Sequence, residues 1–395
     1  MFFMSRLLRL ALGGTLIAVT AFALTACGGG SGGGTPSTAS VSGLTPTTAT
    51  FVAGDYPKGV AIDAFGNAWV ANGGNSMGTI GTASVDSNVM ELSPTGALLH
   101  TYTAGAYPNG IAIDGTGNVW VANDGNGTPG TASADSNVTK LSPTGISFGN
   151  FVAGSRPYAI AIDSADNVWV ANYGSNNVTK LSPTGTLLGT YTVGSYPIAI
   201  AIDGTSNVWV ANEGNGTPGT ASADSNITKL SPTGTLLGTY AAGAYPNAIV
   251  IDSTGNVWVA NDGSSGTPGT ASADSNIMKL SPTGTLLGTY AAGLYPGWIA
   301  FDTAGNAWVA NYGNGTVGTG SLESNVTELS PTGSFLGTED AGKNPNAIAI
   351  DASGDVWVTN NGNGTVGTGS LDSNVTELMN YGAAGVPTPL MMQPK

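Results

Sequence analysis

Apolar positions in this chain recur as a short run that would be apolar on both faces if extended. In "NVWVAN", residues 118–123, Val119 and Val121 point one way, and Trp120 and Ala122 the other. A strand without a polar face has to lie between two other layers, so the run predicts a sheet stacked between neighbours. The run is part of a longer pattern, "AID…N.WVAN", anchored on Asp63, Asp114, Asp163, Asp203, Asp252, Asp302 and Asp351. Successive anchors are 51, 49, 40, 49, 50 and 49 residues apart, and seven of the eight tryptophans follow them at one offset of six. A period of roughly 40–50 residues built from short β segments predicts the blades of a propeller.

Each unit parses into four strands. In the second, residues 109–114, 118–123, 137–142 and 146–154 read as first to fourth, with "GTG" and "PTG" as tight turns. Six units end in "SPTG" and a fourth strand, whereas the seventh reads "NVTELMNYGAAG" and stops. Its missing strand precedes the first unit, where "TATFVAGDYP" aligns with "LLGTYAAGAYP". The sequence therefore predicts an all-β, seven-bladed β-propeller of four-stranded antiparallel blades over residues 44–380, the N-terminal strand closing the last blade. Composition agrees: 61 glycines and only 9% charged residues suit a turn-rich all-β chain.

The ends read differently. Residues 1–27 place Arg6 and Arg9 before an apolar run that reaches Leu24, the layout of a secretory signal. Residues 24–27, "LTAC", resemble the lipobox of bacterial lipoproteins, which implies that Cys27 is lipidated and becomes the mature N-terminus. Cys27 is the single cysteine of the chain, so no intrachain disulfide can form. The Gly- and Ser-rich residues 28–43 have the composition of a flexible tether, and residues 381–395 form a C-terminal tail. The expected location is the bacterial cell envelope, with a membrane as partner through the lipid anchor. By analogy with lipoprotein sorting, Gly28 after the cysteine favours the outer membrane.

Charge narrows the partners. The formal net charge of −14 becomes −16 once the leader removes Arg6 and Arg9. Such a field opposes phosphate contacts and excludes nucleic acid as a partner. A cation, or a protein, peptide or glycan ligand, suits it better, and the chain is expected to be a monomer.

The stretch "YPNGIAIDGTGNVWVANDGNG" followed by "NVTKLSPTG" resembles the NHL-repeat propellers. The count of units and the "WVAN" variant resemble their streptogramin B lyase (virginiamycin B lyase-like) branch, over about residues 48–380. That branch implies elimination chemistry on a cyclic ester, with a histidine base and a second histidine and a glutamate around Mg²⁺. This chain has one histidine, His100, in "GALLHTY" of an outer strand, where sister units carry Gly. One imidazole cannot supply two, so the lyase site is not carried over, and His100 reads as a tolerated substitution without a general-base partner.

Chain direction assigns two faces. The a–b and c–d turns share one face and barely vary; the d–a and b–c connections share the other and carry most of the variation. Two rings stand out there. The residue after the "YP"-type proline is Lys58, Asn109, Tyr158, Ile198, Asn247, Gly297 or Asn346, at the channel mouth if the first strand is innermost. The residue after "VAN" or "VTN" is Gly73, Asp124, Tyr173, Glu213, Asp262, Tyr312 or Asn361. Blade three shortens its b–c loop to "YGSNN", leaving a notch beside Tyr158 and Tyr173. Ligand-binding candidates are thus Lys58, Asn109, Tyr158, Tyr173, Glu213, Asn247, Trp298, Tyr312 and Asn346. Trp298 replaces a small residue on an inner strand and either stacks on a ligand or fills the gap beside Gly297.

Acids on the same face, Asp124, Asp135, Asp224, Asp262 and Asp274, either ligate Ca²⁺ through carboxylates and loop carbonyls or form a solvated rim. The seven anchor aspartates read as turn formers, and the seven repeated tryptophans as wedges between blades. No nucleophile elbow, H-E-x-x-H, Walker loop or C-x-x-C is present. Near-identity among units two, four and five suits a binding platform better than a reaction centre. The expectation is therefore a non-enzymatic, lipid-anchored binding or interaction scaffold. A Ca²⁺- or Mg²⁺-dependent lactonase, esterase or lyase-like enzyme is the alternative, and a structural envelope protein the second.

Overall fold

The computed structural model describes residues 47–74, 87–125, 136–215, 225–263, 275–313, 324–362 and 373–379. It divides into two units, Met1–Gly43 and Leu44–Lys395, and all described residues belong to the second. Every regular element among them is a strand, from β1 (Thr47–Val52) onward. Blade one consists of β2 (Pro57–Ile62), β3 (Ala68–Asn72), β4 (Asn88–Leu92) and β5 (Leu98–Thr103). Twenty further strands repeat this order through blades two to six. Blade seven is built of β26 (Pro345–Ile350), β27 (Val356–Asn360) and β28 (Asn374–Met379), with β1 as its outermost strand. The seven sheets are four-stranded and antiparallel, and the first strands of successive blades pack against one another around a central axis.

Closure follows the expected scheme. β1 pairs antiparallel with β28 from Thr47↔Met379 to Val52↔Asn374. Phe51 then stacks on Trp357 with ring centroids 5.9 Å apart, as Tyr102 stacks on Trp69 at 5.2 Å within blade one. The N-terminal strand thereby supplies the aromatic that five other blades take from their own fourth strand.

The second strands carry the core. All five residues of the "VWVAN" strands are buried, and the seven repeated tryptophans are at most 1% exposed. Trp209 of blade four packs with Ile249, Val257 and Val259 of blade five, which makes it the wedge between sheets that the sequence predicted. The anchor aspartate fixes each wedge: Asp203 Oδ1 accepts the N–H groups of Thr205 and Asn207 at 2.9 Å, and Oδ2 accepts Trp209 Nε1 at 3.0 Å. All seven aspartates bond their tryptophan in this way, at 2.9–3.2 Å. Blades also interlock at the "PTG" turns. Gly234, at φ 82°, lies against the Tyr191 ring of the preceding blade, where any Cβ would collide.

One device was not foreseen. In blades two to five a lysine on the third strand, Lys140, Lys180, Lys229 or Lys279, lies over the tryptophan ring at 4.4–4.6 Å. Its ammonium pairs with the anchor aspartate at 3.2–3.8 Å and donates to a proline carbonyl of the next blade at 2.7–2.9 Å. A single cation thus ties wedge, anchor and neighbouring sheet. Blades one, six and seven carry Glu91, Glu328 and Glu377 at this place.

His100 is also better accompanied than expected. It lies on the outer strand of blade one, with its side chain 65% exposed, yet its Nδ1 stands 3.2 Å from Glu91 Oε2. Cross-strand pairing of residues 91 and 100 brings the carboxylate there, a neighbour that sequence distance conceals. This corrects the reading that His100 has no partner.

Candidate functional site

The mouth of the channel is shaped by a bulge repeated in every blade. The residue before the strand-opening proline, such as Tyr56, Tyr107, Arg156 or Tyr245, is left-handed with φ 51–53°. Register then slips just after the proline, so that Tyr158 of blade three and Asn247 of blade five fall at the slip and take no cross-strand partner. Bulges re-aim side chains. Here they turn the first predicted ring toward the mouth, in place of ordinary alternation along the strand. The second ring lies beside it, because Asp124, Glu213, Asp262 and Tyr312 donate their backbone N–H to the carbonyl of the tyrosine before the proline at 2.9–3.0 Å. The inner strands below enclose an apolar cavity of about 440 Å³, lined by Ile160, Ile200, Ile249, Trp298 and Phe301 among others. Trp298 thus faces the channel, and its other contacts are with the core between blades six and seven.

The rim has two unlike halves. In blades two to four its groups satisfy one another. Arg156 clamps Asp124 through Nε at 2.7 Å and Nη2 at 3.0 Å, and its guanidinium lies 5.0 Å from the Tyr173 ring. Tyr173 packs on Tyr158 at 5.8 Å and Tyr196 at 4.8 Å, beside the Glu213 carboxylate. Asn109 stands beside Tyr158, whose hydroxyl is pushed up to about 12, chiefly by burial. Burial also raises the Glu213 carboxyl above its ordinary range. Arg156 was missed in the sequence because its position precedes the proline, where sister units mostly carry tyrosine.

Blades five, six, seven and one leave room instead. Gly297 has no side chain where the first ring needs one, and a cavity of about 280 Å³ opens there among Lys58, Asn247, Asp262, Tyr295, Tyr312, Asn346 and Asn361. Burial holds the Lys58 ammonium below the ordinary lysine range, against a partial compensation from Asp124. Asp262 is pushed up to about 7 by burial, which outweighs the Asn247 amide donating to it at 3.3 Å. Asn346 donates to the Lys58 carbonyl at 2.9 Å, which fixes the seam between blades seven and one. The Asn361 side-chain oxygen is buried in the cavity wall with no hydrogen-bond partner among the described residues.

All nine ligand-binding candidates therefore lie on or just below one mouth. Of the metal candidates, Asp124 is held by Arg156 and Asp262 faces Asn247; Asp135, Asp224 and Asp274 lie outside the described residues, as does Cys27.

The state of Asp262 has a pH consequence. An unfolded aspartate titrates near 3.8, whereas the folded one keeps its proton to about 7, so this group costs stability progressively as pH rises from about 4 to 7. Asp262→Asn should remove that loss. Compared by thermal unfolding, variant and wild type should agree at pH 4, and the variant should be about 2 kcal/mol more stable at pH 8. That is roughly half of what such a displacement gives in full, because the mouth is open to water.

No family model and no curated protein matches the chain. Among solved structures it is similar to a streptogramin B lyase, with 16% identity and a TM-score of 0.62 over 84% of this chain and 97% of that one. A catalytically inactive virginiamycin B lyase from Staphylococcus aureus, solved with quinupristin, gives 14% identity and a TM-score of 0.62 over 85% and 99%. The hydrazine synthase of Kuenenia stuttgartiensis gives 12% and 0.64 over 84% and 98%. At these identities the likeness is one of architecture: the chain shares the seven-bladed β-propeller of the virginiamycin B lyases.

Proposed function

We propose that this protein is an exported, lipid-anchored binding propeller whose open half-mouth takes a small polar ligand rich in hydroxyl or amide groups, such as a glycan unit or a peptide end. The cavity beside Gly297 carries this reading. It offers amides from Asn247 and Asn346, the side chains of Tyr295 and Tyr312, and an Asn361 oxygen that lacks a donor among the described residues. Concave, partly apolar sites with a few convergent polar groups are the usual form of small-ligand sites. Unpaired buried acceptors favour a ligand that supplies N–H or O–H. In isothermal titration against a panel of mono- and disaccharides and dipeptides, a binder should emerge whose affinity falls at least about tenfold in Tyr312→Ala and in Asn247→Ala. A panel without any binder, or unchanged affinity in both variants, rejects the reading.

The hydrolase alternative is favoured by one observation. Asp262, protonated to about 7, and Lys58, depressed by burial, line the same cavity and could exchange protons with a bound ester. It requires turnover of a lactone or ester panel that disappears in Asp262→Asn, and loss on chelation if a metal takes part.

A further inference from the structure

We infer that the seventh blade carries a calcium site formed by Asp351, Asp355 and Glu377, remote from the channel mouth, at the sheet where the ring closes. Carboxylate oxygens of these three residues all lie within 4.8 Å of one another. Oxygens on opposite sides of a Ca²⁺ ion, each 2.3–2.6 Å away, are about that far apart.

The sister blades show why acids alone do not explain the arrangement. In blades two to five this point is occupied by a lysine ammonium, paired with the anchor aspartate and donating to the next blade's proline carbonyl. The fold therefore presents oxygens to a cation at this place. In blade one the lysine is replaced by Glu91, but donors come with it: Asn67 Nδ2 bridges to Asp63 and Glu91 at 3.0 and 3.1 Å, and the Tyr102 hydroxyl donates to Glu91 at 2.8 Å. In blade six Asn306 bridges Asp302 and Glu328 at 3.0 and 2.9 Å.

Blade seven has neither remedy. Its lysine is replaced by Glu377, and the asparagine that all six sister units carry four residues after the anchor is replaced by Asp355. Glu377 is only 3% exposed, and among the described residues no donor reaches its carboxylate, which faces the charges of Asp355 and Asp351. Three carboxylates thus converge where four other blades hold a positive charge. A divalent cation supplies that charge, and an oxygen-only ligand set suits Ca²⁺, whose geometry is flexible, better than the smaller, more strongly hydrated Mg²⁺. The sister geometry assigns the matching carbonyl from blade one to Pro94 of its "SPTG" turn.

Glu377 stands on β28 opposite Ala49 of β1, so an ion here braces the strand that the N-terminal segment must find. The role is structural and does not depend on what the mouth binds.

The test uses the full chain, freed of metal by chelation and titrated with Ca²⁺ alone. Equilibrium dialysis with elemental analysis should find an ion bound at about 0.1 mM or tighter, and saturation should raise Tm by about 3–6 °C. Asp355→Asn restores the amide of the sister blades, and Glu377→Lys restores their ammonium. Both should fold, lose the ion and melt at a temperature independent of Ca²⁺, with Glu377→Lys near the calcium-loaded wild type. Absence of binding and of any Tm shift at about 5 mM Ca²⁺ overturns the proposal. So does undiminished binding in both variants, which would place the ion among other acids of the chain.

Discussion

Deleting residues 44–55 is expected to abolish the cooperative thermal transition of the ring. The deletion removes β1 and with it the six-residue ladder to β28. It also removes Phe51, which covers Trp357 in blade seven and fills the space above Gly96 of blade one. Loss of a fully buried aromatic costs about 3–5 kcal/mol, and the half-buried Phe51 gives a part of that. Here an exposed sheet edge is added, which invites pairing with other chains. The combined loss approaches the whole stability of an average domain, about 5–15 kcal/mol. Circular dichroism melts and light scattering should report a broad transition with aggregation. The same segment moved to follow residue 379 through an "SPTG" turn should restore a sharp melt, because blade seven would then match its sisters. A truncated chain that melts like the wild type would refute closure by β1.

The second large effect concerns a single wedge. Trp209→Ala should destabilise the protein by about 4–5 kcal/mol in denaturant titration, at the upper end for large-to-small core changes. Trp209 is fully buried, stacks on Tyr240 with centroids 5.4 Å apart, lies beneath the Lys229 ammonium at 4.4 Å and donates to Asp203 at 3.0 Å. Its removal leaves a hole between blades four and five, a lysine without its ring and a carboxylate short of one donor. Asp203 is a group that burial alone would raise, but bonds from Thr205, Trp209 and Asn207 overcome this and hold it well below the usual carboxylate range. Trp209→Phe keeps most of the volume and should cost less than half as much. Equal losses in the two variants would show that the polar bond, rather than the filled space, matters most.

The architecture was legible because its signals are local and repeated. The doubly apolar "VWVAN" strand, the Asp that starts each hairpin and the displaced fourth strand at residues 48–57 all lie in the pattern, and each has its counterpart in the fold. The two variable rings were legible too, since chain direction alone placed them on one face. The groups that meet across blades were not. Arg156 reaches Asp124 over 32 residues, Lys140 reaches Pro183 over 43, and Asn346 reaches Lys58 over 288. Such pairs depend on how sheets stack around an axis, which no local period encodes. The bulge after each proline was hidden as well, although it decides which way Tyr158 and Asn247 point. The contrast between "NVTK" and "NVTE" units was visible in the sequence, but its meaning needed the tryptophan and the anchor aspartate beside it.

Because β28 is the partner of β1, the strand at Thr47–Val52 must wait for residues 374–379 to be synthesised. Contacts between segments so distant carry a high loop-closure cost and form slowly. Six blades can assemble during translation, but the final sheet has to await the synthesis of β28. Until then the Thr47–Val52 segment is an unpaired strand with Phe51 and Val52 uncovered, and a chaperone has that interval in which to capture it.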